Sequence, residues 1–257
     1  MDDPSNGPLL TYADAGPPGR ASSIPAPAGD ARPDDRFAAG LRGFGPFGIL
    51  AMAVILLSGN VFVAPMVIVP LGALLVLLWV RLSGTPWREI GYLRPRSRAL
   101  TLAGGILLGV ALKFLMKMIV MPLLGADPIN HTYHFLAGNR ALLPAAAYSM
   151  IVGAGFGEET IFRGYLFERF GKLFGPGVRA RIAIILLTAV WFGLAHYSDQ
   201  GLAGAEQATI NGLVFGTIMA KTGRIWMPMA AHAAFDLTAL AMIYWNLEAD
   251  VAHLVFP

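Results

Sequence analysis

Long apolar stretches broken by short basic ones fill this chain from about residue 41 to its end. No other feature constrains its folding so tightly. A helix that is apolar nearly all round has no face to give to water, so it meets lipid or is wholly enclosed. Lipid in turn offers nothing to an unpaired backbone amide, which favours helices that satisfy their own hydrogen bonds. The expectation is an all-α, polytopic transmembrane helix bundle.

Composition supports this. Of 257 residues, 56% are hydrophobic and 14% charged, where a soluble domain carries roughly 25% charge. Thirty glycines and eighteen prolines suit a bundle whose small residues let helices approach closely. An isoelectric point near 9.3 would suggest nucleic acid in a soluble protein. Here the basic residues lie between apolar windows and read as topology signals, so no nucleic-acid partner is expected. With no cysteine, disulfides, thiol catalysis and cysteine-type zinc sites are excluded.

Residues 1–36 are rich in Pro, Gly, Ala, Ser and Asp, lack apolar periodicity and read as a disordered tail without a signal peptide. About seven spans follow (six to eight), from windows near 41–58, 61–80, 100–124, 141–156, 182–196, 208–220 and 225–245. The fourth continues as helix to about Phe170, and the sixth is short for a full crossing of roughly 20 residues. This divides the chain into the tail, N-terminal membrane helices with a basic loop over 37–98, a core over 99–247 and a C-terminal tail over 248–257. Basic residues mark the 81–98 loop (Arg81, Arg88, Arg94, Arg96, Arg98), the 172–181 connection (Lys172, Arg179, Arg181) and Lys221 with Arg224. Their alternation puts these loops and the N-terminus, beside Arg36 and Arg42, in the cytoplasm of a multi-pass protein of the cell (inner) membrane. The C-terminus, with Glu248 and Asp250, then falls outside. Small-xxx-small pairs at Gly105/Gly109, Gly153/Gly157 and Gly212/Gly216 mark possible close crossings.

Ionisable groups inside spans cost about 2.5–3.5 kcal/mol each at the helix centre and are functional candidates by default. Three clusters stand out. In Gly157-Glu158-Glu159-Thr160-Ile161-Phe162-Arg163, adjacent carboxylates point about 100° apart, so they do different jobs. Glu159 and Arg163 are spaced to pair, which leaves Glu158 the freer carboxylate, on the face of Ala154 and Phe162. The plainer reading is an ordinary ion pair where the helix enters the headgroups. In Phe192-Gly193-Leu194-Ala195-His196, an aromatic and a histidine share a face, which an interfacial histidine would also explain. In His232-Ala233-Ala234-Phe235-Asp236, both polar groups face one way, as would a structural staple between helices. A single shared cavity satisfies all these groups more cheaply than separate burial. Lys113 and Lys117 either line the cavity, contact lipid headgroups or, as the favoured reading, snorkel toward an interface, and Asn211 is expected to hydrogen-bond between helices. His131, His134 and His253 receive no role.

These residues resemble those of the CPBP family, the CAAX proteases and bacteriocin-processing enzymes. GEETIFRGYLFERF matches its EExxxR motif, WFGLAH its FxxxH motif, and HAAFD its third motif, usually HxxxN, all in the family's order. The resemblance implies an intramembrane endopeptidase related to the type II CAAX prenyl endopeptidase, acting on membrane-associated or hydrophobic protein substrates. It implies Glu158 as the water-activating base and His196 as its partner, with Glu159 and Arg163 in support. Phe192, His232 and Asp236 would line the site. Asp236 departs from the pattern, and only an amide donates a hydrogen bond when neutral. No GxSxG motif is present and no serine lies in the clusters, so a serine mechanism has little support.

The expected chemistry is hydrolysis by activated water with no cofactor required. Zn2+ is the alternative, with Glu158, His196, His232 and Asp236 as its possible ligands, although no HExxH motif is present. Two other functions compete: a non-catalytic scaffold or bacteriocin-immunity protein holding the same polar cluster, and a proton-coupled transporter. Rise per residue from the basic loops places His196 toward the external end of its span and His232 nearer the cytoplasm, so a shared site requires either strong tilt or a deeper start to the fifth span.

Overall fold

The computed structural model describes residues 33–58 and 65–256. Among them the chain forms eight helices and no strand: α1 (Pro33–Arg42), α2 (Pro46–Ser58), α3 (Pro65–Ser83), α4 (Arg98–Leu123), α5 (Arg140–Phe174), α6 (Val178–Thr222), α7 (Trp226–Tyr244) and α8 (Glu248–Ala252). An all-α membrane bundle is therefore the observed architecture. Three helices, α4, α5 and α6, are long and apolar enough to cross a membrane, or four with the α1–α2 pair, bent by 58°, as one span. Length and apolarity thus do not by themselves yield seven. α7 carries His232 and Asp236 within its 19 residues.

α6 explains much of the difference. Its 45 residues contain one non-helical position, Gly201, with φ 64° and ψ −161°, a conformation that glycine adopts without the Cβ penalty. There the chain folds back on itself. A Cβ on Gly193 would lie 1.9 Å from Thr209 Oγ1, and one on Gly212 would lie 2.9 Å from Ala189 Cβ. These pairs are centred near residue 201, as in an antiparallel hairpin. The arm before the turn carries Phe192 and His196, and the arm after it carries Asn211 and Phe215. The second arm begins with the polar pair Glu206 and Gln207, which is why its apolar window looked short.

Another close crossing is between α4 and α7. A Cβ on Gly109 would meet Ala231 O at 2.1 Å, and one on Gly105 would meet Ala230 Cβ at 2.6 Å. Of the other expected pairs, Gly157 packs on Val69, while Gly155, rather than Gly153, seats α5 on Ala233 of α7. Outside, Leu100 and Leu107 of α4 and Leu186, Val190 and Leu194 of α6 are exposed; inside, Glu159, Arg163, Arg169 and His232 are buried. Apolar outside and charged inside is the pattern expected of a bundle meeting lipid.

The bundle has two ends. At one, Arg42 Nη2 donates to Ser83 O (2.6 Å), Arg169 Nη1 to Arg42 O (2.9 Å) and Trp226 Nε1 to Leu93 O (3.0 Å), and Lys172 lies 3.5 Å from Glu89. At the other, Thr132 Oγ1 donates to Asp199 O (3.1 Å), and Lys117 holds Glu248 at 3.2 Å. The basic loops therefore gather at one end.

The tail reading requires adjustment. Residues 33–36 open α1, while 1–32 lie outside the described residues. The C-terminal segment is tied down: Glu248 is buried, bound to Lys117, and accepts from Asn130 N at 3.2 Å.

Candidate active site

α5 reaches the site through widened turns. Residues Ser149–Glu158 and Thr160–Leu166 run as π-helix, a form usually confined to single turns at functional places. Tyr92 braces this stretch from the basic loop, its hydroxyl 2.8 Å from Thr160 Oγ1, which donates to Phe156 O at 2.6 Å.

Glu159 sits at the centre, wholly enclosed. Its Oε1 accepts from Arg163 Nη1 at 2.8 Å and from His232 Nδ1 at 2.7 Å. A carboxylate facing two donors assigns the hydrogen to Nδ1 and turns Nε2 of His232 outward. That nitrogen lies 3.8 Å from Glu158 Oε2 and 3.7 Å from Asp236 Oδ2. The side chains of Glu158 and Asp236 stay 20% and 27% exposed, against 0% for Glu159. Two carboxylates therefore open onto one imidazole nitrogen, while the third holds the ring from behind. Glu158 Oε2 is itself buried and has no hydrogen-bond partner among the described residues.

Aromatic rings wall this group. Phe192 lies 5.8 Å from the His232 ring, 4.6 Å from His196 and 4.9 Å from Phe162, and the Arg163 guanidinium is 4.5 Å from its face. Phe215 adds a second wall, 5.5 Å from His232 and 5.6 Å from Arg163. The guanidinium thus meets one carboxylate and ring faces, while its buried Nη2 has no hydrogen-bond partner among the described residues.

His196 stands further out. Its Nδ1 donates to Phe192 O at 2.8 Å, since a carbonyl can only accept, which leaves Nε2 with its lone pair. Phe192 is its link to His232, and Asp236 lies within its electrostatic reach. The Phe192 ring thus contacts both histidines, at 4.6 Å and 5.8 Å.

Four participants gave no sequence signal or a misleading one. Phe215 is one apolar residue among many. Tyr133, in the loop before α5, has its hydroxyl 3.2 Å from Gln200 Nε2. Burial, and then the charges of Asp236 and Glu158, hold its pKa above the usual tyrosine value. Lys113 does not snorkel. It is buried, donates to Gln207 Oε1 at 3.2 Å and lies 4.8 Å over the Phe235 ring. The fourth is Gln207. Asn211, expected to bridge helices, is buried with its Oδ1 unpartnered among the described residues.

Among the described residues no group of three or more His, Asp and Glu side chains is placed to hold a metal ion. His232 presents one nitrogen to two carboxylates, and its other nitrogen is committed to Glu159. A zinc site would need about three converging ligands.

Comparison with known proteins now bears on these residues. Residues 140–238 match the family model of type II CAAX prenyl endopeptidase Rce1-like proteins. The uncharacterized protein YyaK of Bacillus subtilis (strain 168) is 32% identical over 108 residues, which is 40% of this chain and 35% of YyaK. The chain thus spans about a third of the length of that relative. No solved structure matches. The matched segment holds every residue of the polar cluster, and over residues 140–238 the chain is similar to type II CAAX prenyl endopeptidase Rce1-like proteins.

Proposed function

We propose that this protein is an intramembrane endopeptidase that hydrolyses peptide bonds of membrane-associated or hydrophobic protein substrates with a water activated by Glu158. The supporting observation is the spacing around His232 Nε2, 3.8 Å from Glu158 Oε2 and 3.7 Å from Asp236 Oδ2. A water about 2.8 Å from both Glu158 Oε2 and Nε2 fits as the apex of that triangle.

In this reading Glu158 takes a proton from the water as its oxygen bonds to the substrate carbonyl carbon. The C–N bond then breaks, and Glu158 returns the proton to the leaving amine. His232, its Nδ1 held by Glu159 and through it by Arg163, accepts a hydrogen bond from the attacking water at Nε2 and so orients that water toward the carbonyl. Glu159 is thereby a positioning residue, since nothing from outside reaches it. His196, with its free Nε2, supplies a second polar wall beside Asp236. No metal is required. The basic end faces the cytoplasm by the charge rule.

Glu158→Gln is the direct test. It preserves shape and removes basicity, so the protein should insert and accumulate as before while cleavage in purified, detergent-solubilised form falls by about 10²-fold or more. Undiminished cleavage would end the glutamate-base reading.

A further inference from the structure

The polar groups that open onto the reacting position share one property: they accept hydrogen bonds. Glu158 and Asp236 are carboxylates. His232 carries its hydrogen on Nδ1, toward Glu159, and His196 carries its own on Nδ1, toward Phe192 O, so each presents a lone pair at Nε2. The Arg163 guanidinium is enclosed behind them, its side chain 1% exposed. A carbonyl oxygen that gains charge in the transition state needs a donor, and these groups offer none. A donor stands across the outer ends of the same helices. The Tyr133 ring packs on an apolar cluster that includes Leu240 of α7, one turn beyond Asp236, and that also takes in Leu237 of α7 and Met150 of α5. Its hydroxyl reaches over to α6, where Gln200, one turn beyond His196, donates to it at 3.2 Å. The residue before it ties the loop to the same turn, Thr132 Oγ1 donating to Asp199 O at 3.1 Å. An amide nitrogen can only donate, so the phenol oxygen is the acceptor in its bond to Gln200. The phenol hydrogen is left without an acceptor among the described residues. Asp236 and Glu158 are the charges that act most on this group. Tyr133 lies just ahead of the matched segment, residues 140–238.

We propose that Tyr133 is a further catalytic residue, whose hydroxyl donates to the carbonyl oxygen of the scissile bond and holds the oxyanion formed when water adds. The assignment rests on the proteolytic reading and gives that reaction the donor it lacks. The phenol shares its hydrogen and does not transfer it. The proton of the water still passes to Glu158 and from there to the leaving amine. Burial beside two carboxylates keeps the phenol above the usual tyrosine pKa, so the hydrogen stays in place at neutral pH. Gln200 is a positioning residue: by occupying one side of the phenol oxygen it turns the O–H away from itself.

The test reads turnover and binding separately, on the full chain in detergent micelles. Turnover is followed with an internally quenched Ala-Leu-Ala-Leu-Ala peptide. Binding is followed by anisotropy competition with two uncleavable peptides of that sequence, one with a methylene ketone and one with a difluoromethylene ketone at the central bond. Only the fluorinated ketone hydrates to a tetrahedral gem-diol that resembles the adduct. Tyr133→Phe keeps the ring and its packing and removes the donor. It should lower kcat by about 10²-fold with KM changed by less than about twofold. The native protein should bind the hydrated ketone at least about tenfold tighter than the plain one, a preference that Tyr133→Phe removes. Gln200→Ala, which leaves the phenol in place but unaimed, should cost about three- to tenfold in kcat. A purely structural role for Tyr133 would instead raise KM or lower the unfolding midpoint and leave the ketone preference intact, and that result overturns the assignment. So does full kcat in Tyr133→Phe; if Glu158→Gln is inactive in the same assay, the glutamate-base reading survives alone. Native-level cleavage by Glu158→Gln, with Tyr133→Phe slowed, would reject the glutamate base and leave the donor standing. Native protein that fails to cleave yet shows the Tyr133-dependent ketone preference would reject the proteolytic reading and keep the donor. Native protein that neither cleaves nor distinguishes the two ketones overturns both.

Discussion

Replacing Arg163 by Met removes the guanidinium from the middle of the polar cluster while keeping most of its length. The Glu159–Arg163 pair is enclosed, with side chains 0% and 1% exposed and atoms 2.8 Å apart. Deleting one member of such a pair leaves an uncompensated charge and costs about 3–5 kcal/mol. Loss of the seat on the Phe192 face, at 4.5 Å, adds about 1–2 kcal/mol. The expected loss of roughly 4–7 kcal/mol is a large part of the 5–15 kcal/mol, in round terms about 10, that typically holds a protein together. A solvent-exposed pair at the same helix spacing would contribute only about 0.3–0.5 kcal/mol. The assay is unfolding in mixed micelles with rising denaturing detergent, followed by tryptophan fluorescence. A companion variant, Glu159→Gln combined with Arg163→Met, removes both charges and should recover part of the loss. A cost under about 1 kcal/mol, or strict additivity of the two single changes, would refute the buried-network account.

Three further outcomes are expected. Gly109→Ala places a Cβ 2.1 Å from Ala231 O. It should cost about 1–3 kcal/mol by overpacking and reduce cleavage by shifting His232; an unchanged unfolding midpoint would mean α4 and α7 are further apart. Asp236→Asn should keep cleavage activity, because Glu158 and His232 suffice in the metal-free reading. Metal content measured alongside decides this, and stoichiometric zinc falling with activity would reject that reading. Reporter fusions should place the 81–98 and 171–181 loops in the cytoplasm and the C-terminus outside, whereas a cytoplasmic C-terminus would reverse the charge-based orientation.

The site was more legible than the scaffold. Glu159 with Arg163, and His232 with Asp236, lie one helical turn apart, and ionisable groups in apolar windows are conspicuous, so spacing alone brought most of the cluster into view. Spacing cannot show which neighbour a ring nitrogen chooses. That Glu159 would hold His232 from behind depends on Gly155, Gly105 and Gly109 letting α5 and α4 close on α7. Lys113 was misread for a related reason: a lysine in a span snorkels unless a partner waits inside, and that partner, Gln207, lies 94 residues away. The fold-back at Gly201 went unseen because one glycine among thirty carries no label for a left-handed turn. Helix α1 begins inside the stretch read as tail because its first residues are polar and its anchors, Ser83 and Trp79, sit on α3.

The widened turns of α5 have a consequence for how this helix tolerates insertions and deletions. A π-helical turn carries an extra residue relative to an ordinary one. Deleting one residue between Ser149 and Gly157 can be absorbed by narrowing a single turn, with the helix on either side keeping its facing. The same deletion in the regular part of α4 would swing everything beyond it by about 100° and pull Gly109 off α7. The stretch leading to Glu158 is therefore where chain length can drift by a residue without disturbing the carboxylates it delivers.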